Sequence, residues 1–237
     1  PSDVAPARVV SDYPAELLEL YVPRAIDFLA ANHERIWLLA PNSEFLPWAV
    51  RPVERYLGEN FYLIEQYRTD DPTVRLLLYS TVRAPNRYEL RLPEQATDLR
   101  YADEIRLMGF TLPNGMTYTP GDVLPITLFW QAQDTPSQNP VVAWFLVADS
   151  EPFAPVQGFD SVPDAGFRSV LSWQAGEIIY DNRALQIPVD LPPGAYRIWV
   201  LMYAAGSGGT QRLPVIGDET IDGEIGVLPV TVHIEAN

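Results

Sequence analysis

From about residue 93 the polarity of this chain alternates with period two, and turn sequences keep cutting the alternation. The turns are "PNG" at 113–115, "PGD" at 120–122, "QAG" at 174–176 and "LPPG" at 191–194. Period two places successive side chains on opposite faces of a strand, and Gly, Pro, Asn and Asp punctuate strands where the chain must reverse. Strands are therefore predicted near 101–112, 122–133, 140–149, 177–188, 194–204 and 223–235, with shorter ones near 155–160 and 211–216. The chain holds 23 prolines, about twice the average usage, which favours short strands joined by stiff turns. About seven short strands predict an antiparallel β-sandwich of immunoglobulin-like type over residues 93–237.

Several of these strands are apolar on both faces. In 194–204, Tyr196, Ile198, Val200 and Met202 form one face, while Arg197, Trp199, Leu201 and Tyr203 form the other. "VLPITLFWQA" sets Leu124, Ile126, Leu128 and Trp130 on one side and Phe129 on the other. Left bare, the second faces would make an exposed apolar patch.

Residues 1–92 read differently. Asp12 can cap a helix whose first turn takes Pro14, and Leu17, Leu20, Tyr21, Phe28 and Leu29 recur at helical spacing. Pro23 predicts a kink or two abutting helices. "RIWLLAP", residues 35–41, reads as a strand buried on both faces. A second helix is expected at about 45–58, ended by Gly58. "FYLIEQYRT" and "VRLLLYSTV" then read as strands around a "DDP" turn.

The fold expected is α+β in two parts, a small partial α/β layer (1–92) followed by the sandwich (93–237). Charge divides the same way: residues 1–92 hold 13 acids and 10 arginines, residues 93–237 hold 18 and 6. So small an α/β unit cannot cover both faces of its sheet. The economical expectation is that each part supplies the other's missing cover, with Phe129, Trp199, Leu201 and Tyr203 as the interdomain contact. Each side chain buried there would contribute roughly 1.5–3 kcal/mol.

Residue supply excludes several chemistries. The chain has no cysteine, so disulfides and thiolate chemistry are out, and all 16 basic residues are arginine. Without lysine there is no Schiff base and no Walker-type phosphate loop. A net charge of −15 argues against nucleic acid as a partner. No run approaches 18 apolar residues, and "PSDVAPARVV" is neither a signal peptide nor a basic leader, so the chain reads as a soluble piece. His33 and His233 fall in different parts, no G-x-S-x-G elbow occurs, and "GSGG" at 206–209 sits in a hairpin loop. Asp70 and Asp71 belong to a stock turn. The densest acidic segment, "GDETIDGEIG", offers Asp218, Asp222 and Glu224 as calcium-type oxygen ligands, though the spacing matches no EF-hand and a solvated loop is the plainer reading. Trp173, beside a turn, is the candidate ring for a sugar platform. No cofactor is expected.

Read together, "RIWLLAPNSEFLPWAVRPVERYLGENFYLIEQYRTDDPTVRLLLYST" resembles the soluble tail of polytopic glycosyltransferases of the dolichyl-phosphate-mannose mannosyltransferase type. "IRLMGFTL", "PGDVLPITLFWQA" and "SWQAGEIIYDNRALQIPVDLPPGAYRIWVLMY" resemble a β-sandwich appended to such proteins. The resemblance implies an extracytoplasmic position and a partner in the membrane-embedded portion of the same polypeptide, with a glycan or lipid-linked sugar acceptor within reach. That family's catalytic acid lies between early membrane helices, so no catalytic residue carries over to this chain. The expected function is a non-catalytic accessory domain of a membrane glycosyltransferase-like protein, stabilising it or presenting substrate. A carbohydrate-binding module and a stand-alone hydrolase using acidic pairs stay open as alternatives.

Overall fold

The computed structural model describes residues 15–41, 51–89, 92–150, 155–164, 168–206 and 209–236. The described residues are mostly β, with two α-helices. Its front portion runs α1 (Ala15–Asn32), β1 (Arg35–Pro41), α2 (Pro52–Asn60), β2 (Tyr62–Arg68) and β3 (Val74–Ser80), then a single 3-10 turn at Arg87–Glu89. One helix continues through Pro23, where the sequence predicts a kink or a break. Val22 and Ile26, on either side of the proline, are buried in the front core, and that packing offsets the hydrogen bond the proline cannot make. Pro52 opens α2, a position where its missing N–H has no partner to lose. The helix runs past Gly58, and residues 45–50 of the expected helix lie outside the described residues.

β1, β3 and β2 form an antiparallel meander in that order. The "DDP" turn between β2 and β3 closes as expected, the Asp71 carboxylate accepting from the Thr73 N–H at 2.8 Å and its hydroxyl at 2.6 Å. β1 departs from expectation. It is an edge strand, with Ile36 and Ala40 buried and Arg35, Trp37 and Leu39 exposed. Among the described residues β3 alone pairs with it, and its Arg35, Trp37 and Leu39 face is exposed.

Glu54 of α2 is buried and held by the guanidinium groups of Arg75 and Arg51. Burial pushes its carboxyl above the ordinary carboxylate range, with Arg75 and then Arg51 pulling the other way. As pH rises, the unfolded chain releases this proton first. The folded state then holds more proton between the ordinary value and the raised one, so the group's contribution to stability falls across that window. Glu54→Gln, neutral at every pH, removes this slope. The stability of the variant relative to the parent is expected to rise as pH increases from about 4 to 7, read as urea midpoints. A pH-independent difference would refute the assignment.

The second portion supplies β4 (Gln95–Tyr101), β5 (Ile105–Thr111), β6 (Thr117–Tyr118), β7 (Val123–Ala132), β8 (Val141–Ala148) and β9 (Val156–Gln157). A 3-10 turn at Val170–Ser172 precedes β10 (Ile178–Gln186), β11 (Gly194–Gly206), β12 (Gly209–Arg212), β13 (Val215–Gly217), β14 (Thr220–Ile221) and β15 (Ile225–Ile234). Gly121 and Gly176 take the left-handed backbone that the "PGD" and "QAG" turns need, at φ 94° and 81°. β4 is an addition, since the sequence predicts the strand only from about residue 101.

Two sheets face each other across one core. The smaller runs β14-β15-β11-β8-β9, and the larger β1-β3-β2-β10-β7-β5-β4-β13. Leu128 and Trp130 of β7 meet Ile198 and Val200 of β11 and Trp144 of β8 in this core. Tyr101 locks the layers. Its ring stands edge-on to Trp130 at 5.8 Å, and its hydroxyl donates to the Val200 carbonyl across the sandwich at 2.9 Å.

The larger sheet also shows how the two portions join. β2 lies parallel to β10, with Leu63 opposite Arg183, so the front meander extends the sheet sideways. This replaces the expected layer over the second faces. Phe129 lies on the outer side of the large sheet, against Tyr180 at 5.0 Å. Trp199, Leu201 and Tyr203 lie on the outer side of the other sheet. No single layer can cover both. The β11 face is closed locally instead: Arg197 pairs with Glu219 at 2.6 Å, and the Tyr203 hydroxyl donates to Asp160 at 3.1 Å.

Candidate functional site

The residues singled out from sequence do not assemble into a site. Trp173 follows the 3-10 turn, which folds it inward to 2% exposure, so its indole is no platform for a sugar. The Asp218 carboxylate accepts from the Asp98 N–H at 3.0 Å, and Glu224 pairs with Arg212 at 3.2 Å. Asp222 sits in a turn at φ 52°. The acidic loop is thus spent on pinning β4 and β12. Among the described residues, no group of three His, Cys, Asp or Glu is placed to hold a metal ion.

The seam between the two portions carries a polar network that sequence reasoning missed. Asp181 and Arg183, two positions apart on β10, point to one face and pair at 2.7 Å inside the sheet sandwich. Asp181 also accepts from the Trp130 indole N–H at 3.0 Å and the Asp164 N–H at 3.0 Å. Arg183 donates to the carbonyls of Val142 (3.3 Å), Phe159 (3.2 Å) and Ser161 (3.0 Å). On the other face, Asn182 accepts from Thr127 at 2.8 Å and donates to the Gly58 carbonyl at 3.0 Å. Tyr62 bonds to the same threonine at 3.0 Å. Asp164 is buried beside Arg87, and burial raises its carboxyl, Arg87 opposing and the Asp181 charge adding to the rise. These groups anchor β10 to both neighbours. The signal was present in "IIYDNRALQI", where three polar residues interrupt an apolar strand.

Among the described residues two clefts stand out. One, of about 400 Å³, lies between α1 and α2 and is crossed by the Arg55–Glu19 ion pair. The other is larger, about 470 Å³. It lies where β2 and β10, after the Leu63–Arg183 pair, run apart toward their carboxyl ends. Ile64, Glu65 and Tyr67 form one bank, Leu185–Val189 the other, and Gln157–Phe159 also contribute. Crevices beyond the carboxyl ends of diverging parallel strands are recurrent ligand positions.

Trp37 and Tyr67 are brought together on this cleft from β1 and β2, their ring centroids 5.6 Å apart and their planes at 40°. They remain 54% and 44% exposed. The period of "RIWLLAP" puts Arg35 and Trp37 on one face, and that face is exposed. Gln186 is pinned by its amide N–H groups, which donate to the Gly121 carbonyl at 2.6 Å and that of Asp122 at 3.2 Å, while its Oε1 is buried and has no partner among the described residues. Glu65 uses one oxygen to accept from the Gln66 N–H at 3.1 Å. Among the described residues the Arg35 guanidinium has no ion-pair or hydrogen-bond partner.

Compared with known proteins, the chain matches no family model and no curated protein. Among solved structures it shows a likeness to the crystal structure of Spo0M, a sporulation control protein from Bacillus subtilis. Identity is 14%, the TM-score 0.25, and the match covers 59% of this chain and half the length of Spo0M. At that level the likeness bears on neither fold nor function.

Proposed function

We propose that this chain is a non-catalytic accessory region of a membrane glycosyltransferase-like protein, held on the extracytoplasmic side, its front α/β portion fused to an immunoglobulin-like sandwich. It stabilises the membrane-embedded part of the polypeptide or presents substrate to it. One observation carries the non-catalytic reading. The buried carboxylates among the described residues, Glu54, Asp164 and Asp181, are all engaged by arginine or backbone donors that hold elements together. A carboxylate so engaged is a poor general base, since its lone pairs are taken and its position is fixed by packing. The same observation disfavours a hydrolase built on acidic pairs.

The test is deletion of this region from the gene that encodes it, followed by assays on isolated membranes with a polyprenyl-phosphate sugar donor. Reduced abundance or transfer, with no turnover by the purified chain on donor or on nitrophenyl glycosides, is expected. Turnover by the purified chain, or a reading frame without membrane spans, would overturn the proposal.

A further inference from the structure

The second cleft has the makings of a ligand site that the accessory role does not require. Two half-exposed aromatic rings meet at its rim, and two polar groups, Arg35 and Glu65, reach it without using their full hydrogen-bonding capacity. Aromatic rings in water usually lose exposure when a partner is at hand, and unspent polar groups cost nothing only while solvated. A ligand suited to this place must offer an apolar face to the rings and hydroxyls to the edge groups.

We propose that the cleft between β2 and β10 binds a neutral saccharide, one pyranose ring lying on Trp37 and Tyr67 while Glu65 and Arg35 take its hydroxyls. The C–H face of a pyranose is apolar and complements the negative face of an indole or phenol ring. Its hydroxyls both donate and accept. The Glu65 carboxylate accepts from them, and the Arg35 guanidinium donates to them. Other chemistries fit less well. A phosphorylated ligand would meet one guanidinium beside a carboxylate, on a chain of net charge −15. An acyl chain would strip water from Glu65 and Arg35 and return no hydrogen bond. A volume of about 470 Å³ holds one or two sugar rings. The ring pair in question sits on the front portion, and Trp173 does not line this cleft.

The proposal does not depend on a membrane parent, and its test uses the chain alone. Glucose, mannose, galactose, N-acetylglucosamine and their disaccharides are titrated into the protein, with binding read by calorimetry and by tryptophan fluorescence. Saturable binding of at least one is expected. Trp37→Ala and Tyr67→Ala should each weaken it at least tenfold, and Glu65→Gln severalfold, with melting temperatures unchanged because these side chains lie at the surface. Should a ring variant unfold, Glu65→Gln carries the test. Absence of saturation by every sugar at tens of millimolar would overturn the proposal. So would binding indifferent to all three variants, or a change in self-association on ring removal with no sugar effect.

Discussion

Asp181→Ala is expected to lower the free energy of unfolding by about 3–5 kcal/mol, a large share of a domain's stability. The substitution leaves Arg183 charged inside the sandwich and orphans the Trp130 indole N–H and the Asp164 N–H together. Most of the loss is the penalty of an uncompensated buried charge. The double variant Asp181→Leu with Arg183→Met should therefore recover part of it, because apolar residues of similar volume often replace a buried ion pair at little cost. Recovery stays incomplete, since Arg183 also donates to three carbonyls. Urea titration of the three proteins decides the matter. A loss under about 1 kcal/mol for Asp181→Ala would mean that the seam is hydrated and the pair contributes little.

Gly158→Ala should be nearly as damaging, for steric reasons. A Cβ there would lie 2.0 Å from Nε1 and 2.2 Å from Cε2 of Trp144, a fully buried ring between the sheets. The Gly158 N–H donates to the Trp144 carbonyl at 3.0 Å, which ties the two backbones together, and the indole is packed within the core. Overpacking of this kind costs about 1–3 kcal/mol, and the tightness here points to the upper end. Trp144→Phe opens the space that the new methyl needs. The double variant should then be less destabilised than the sum of the two single changes, a coupling that chemical denaturation measures directly.

The strands of the second portion were legible because alternation and turn chemistry are local. "PGD" and "QAG" supply left-handed glycines at the bends, and the interior faces of β7 and β11 follow from period two. β4 escaped notice because "QATDLRY" buries only Thr97, Leu99 and Tyr101 among polar neighbours. The status of "RIWLLAP" was not legible, since four apolar residues in a row read alike at a sheet centre and at an edge. In the fold Trp37 and Leu39 lie on an exposed face of the strand. Trp173 misled for a related reason: a turn in sequence suggests exposure, yet this turn tucks its last side chain under the sheets. The candidate cleft was the least legible feature. It is made by two strands that meet at one register pair and then part, and nothing local in either strand announces the other.

That meeting has a consequence for how the chain leaves the ribosome. Asn182 and the Gly58 carbonyl it clasps are 124 positions apart, so the meander emerges long before the strand that completes its sheet. At about 5–20 residues per second the wait is roughly 6–25 seconds, with β2 carrying an unmet edge throughout. Newly made chains are thus most vulnerable to cross-association in that interval, and slowing translation just upstream of β10 would lengthen it.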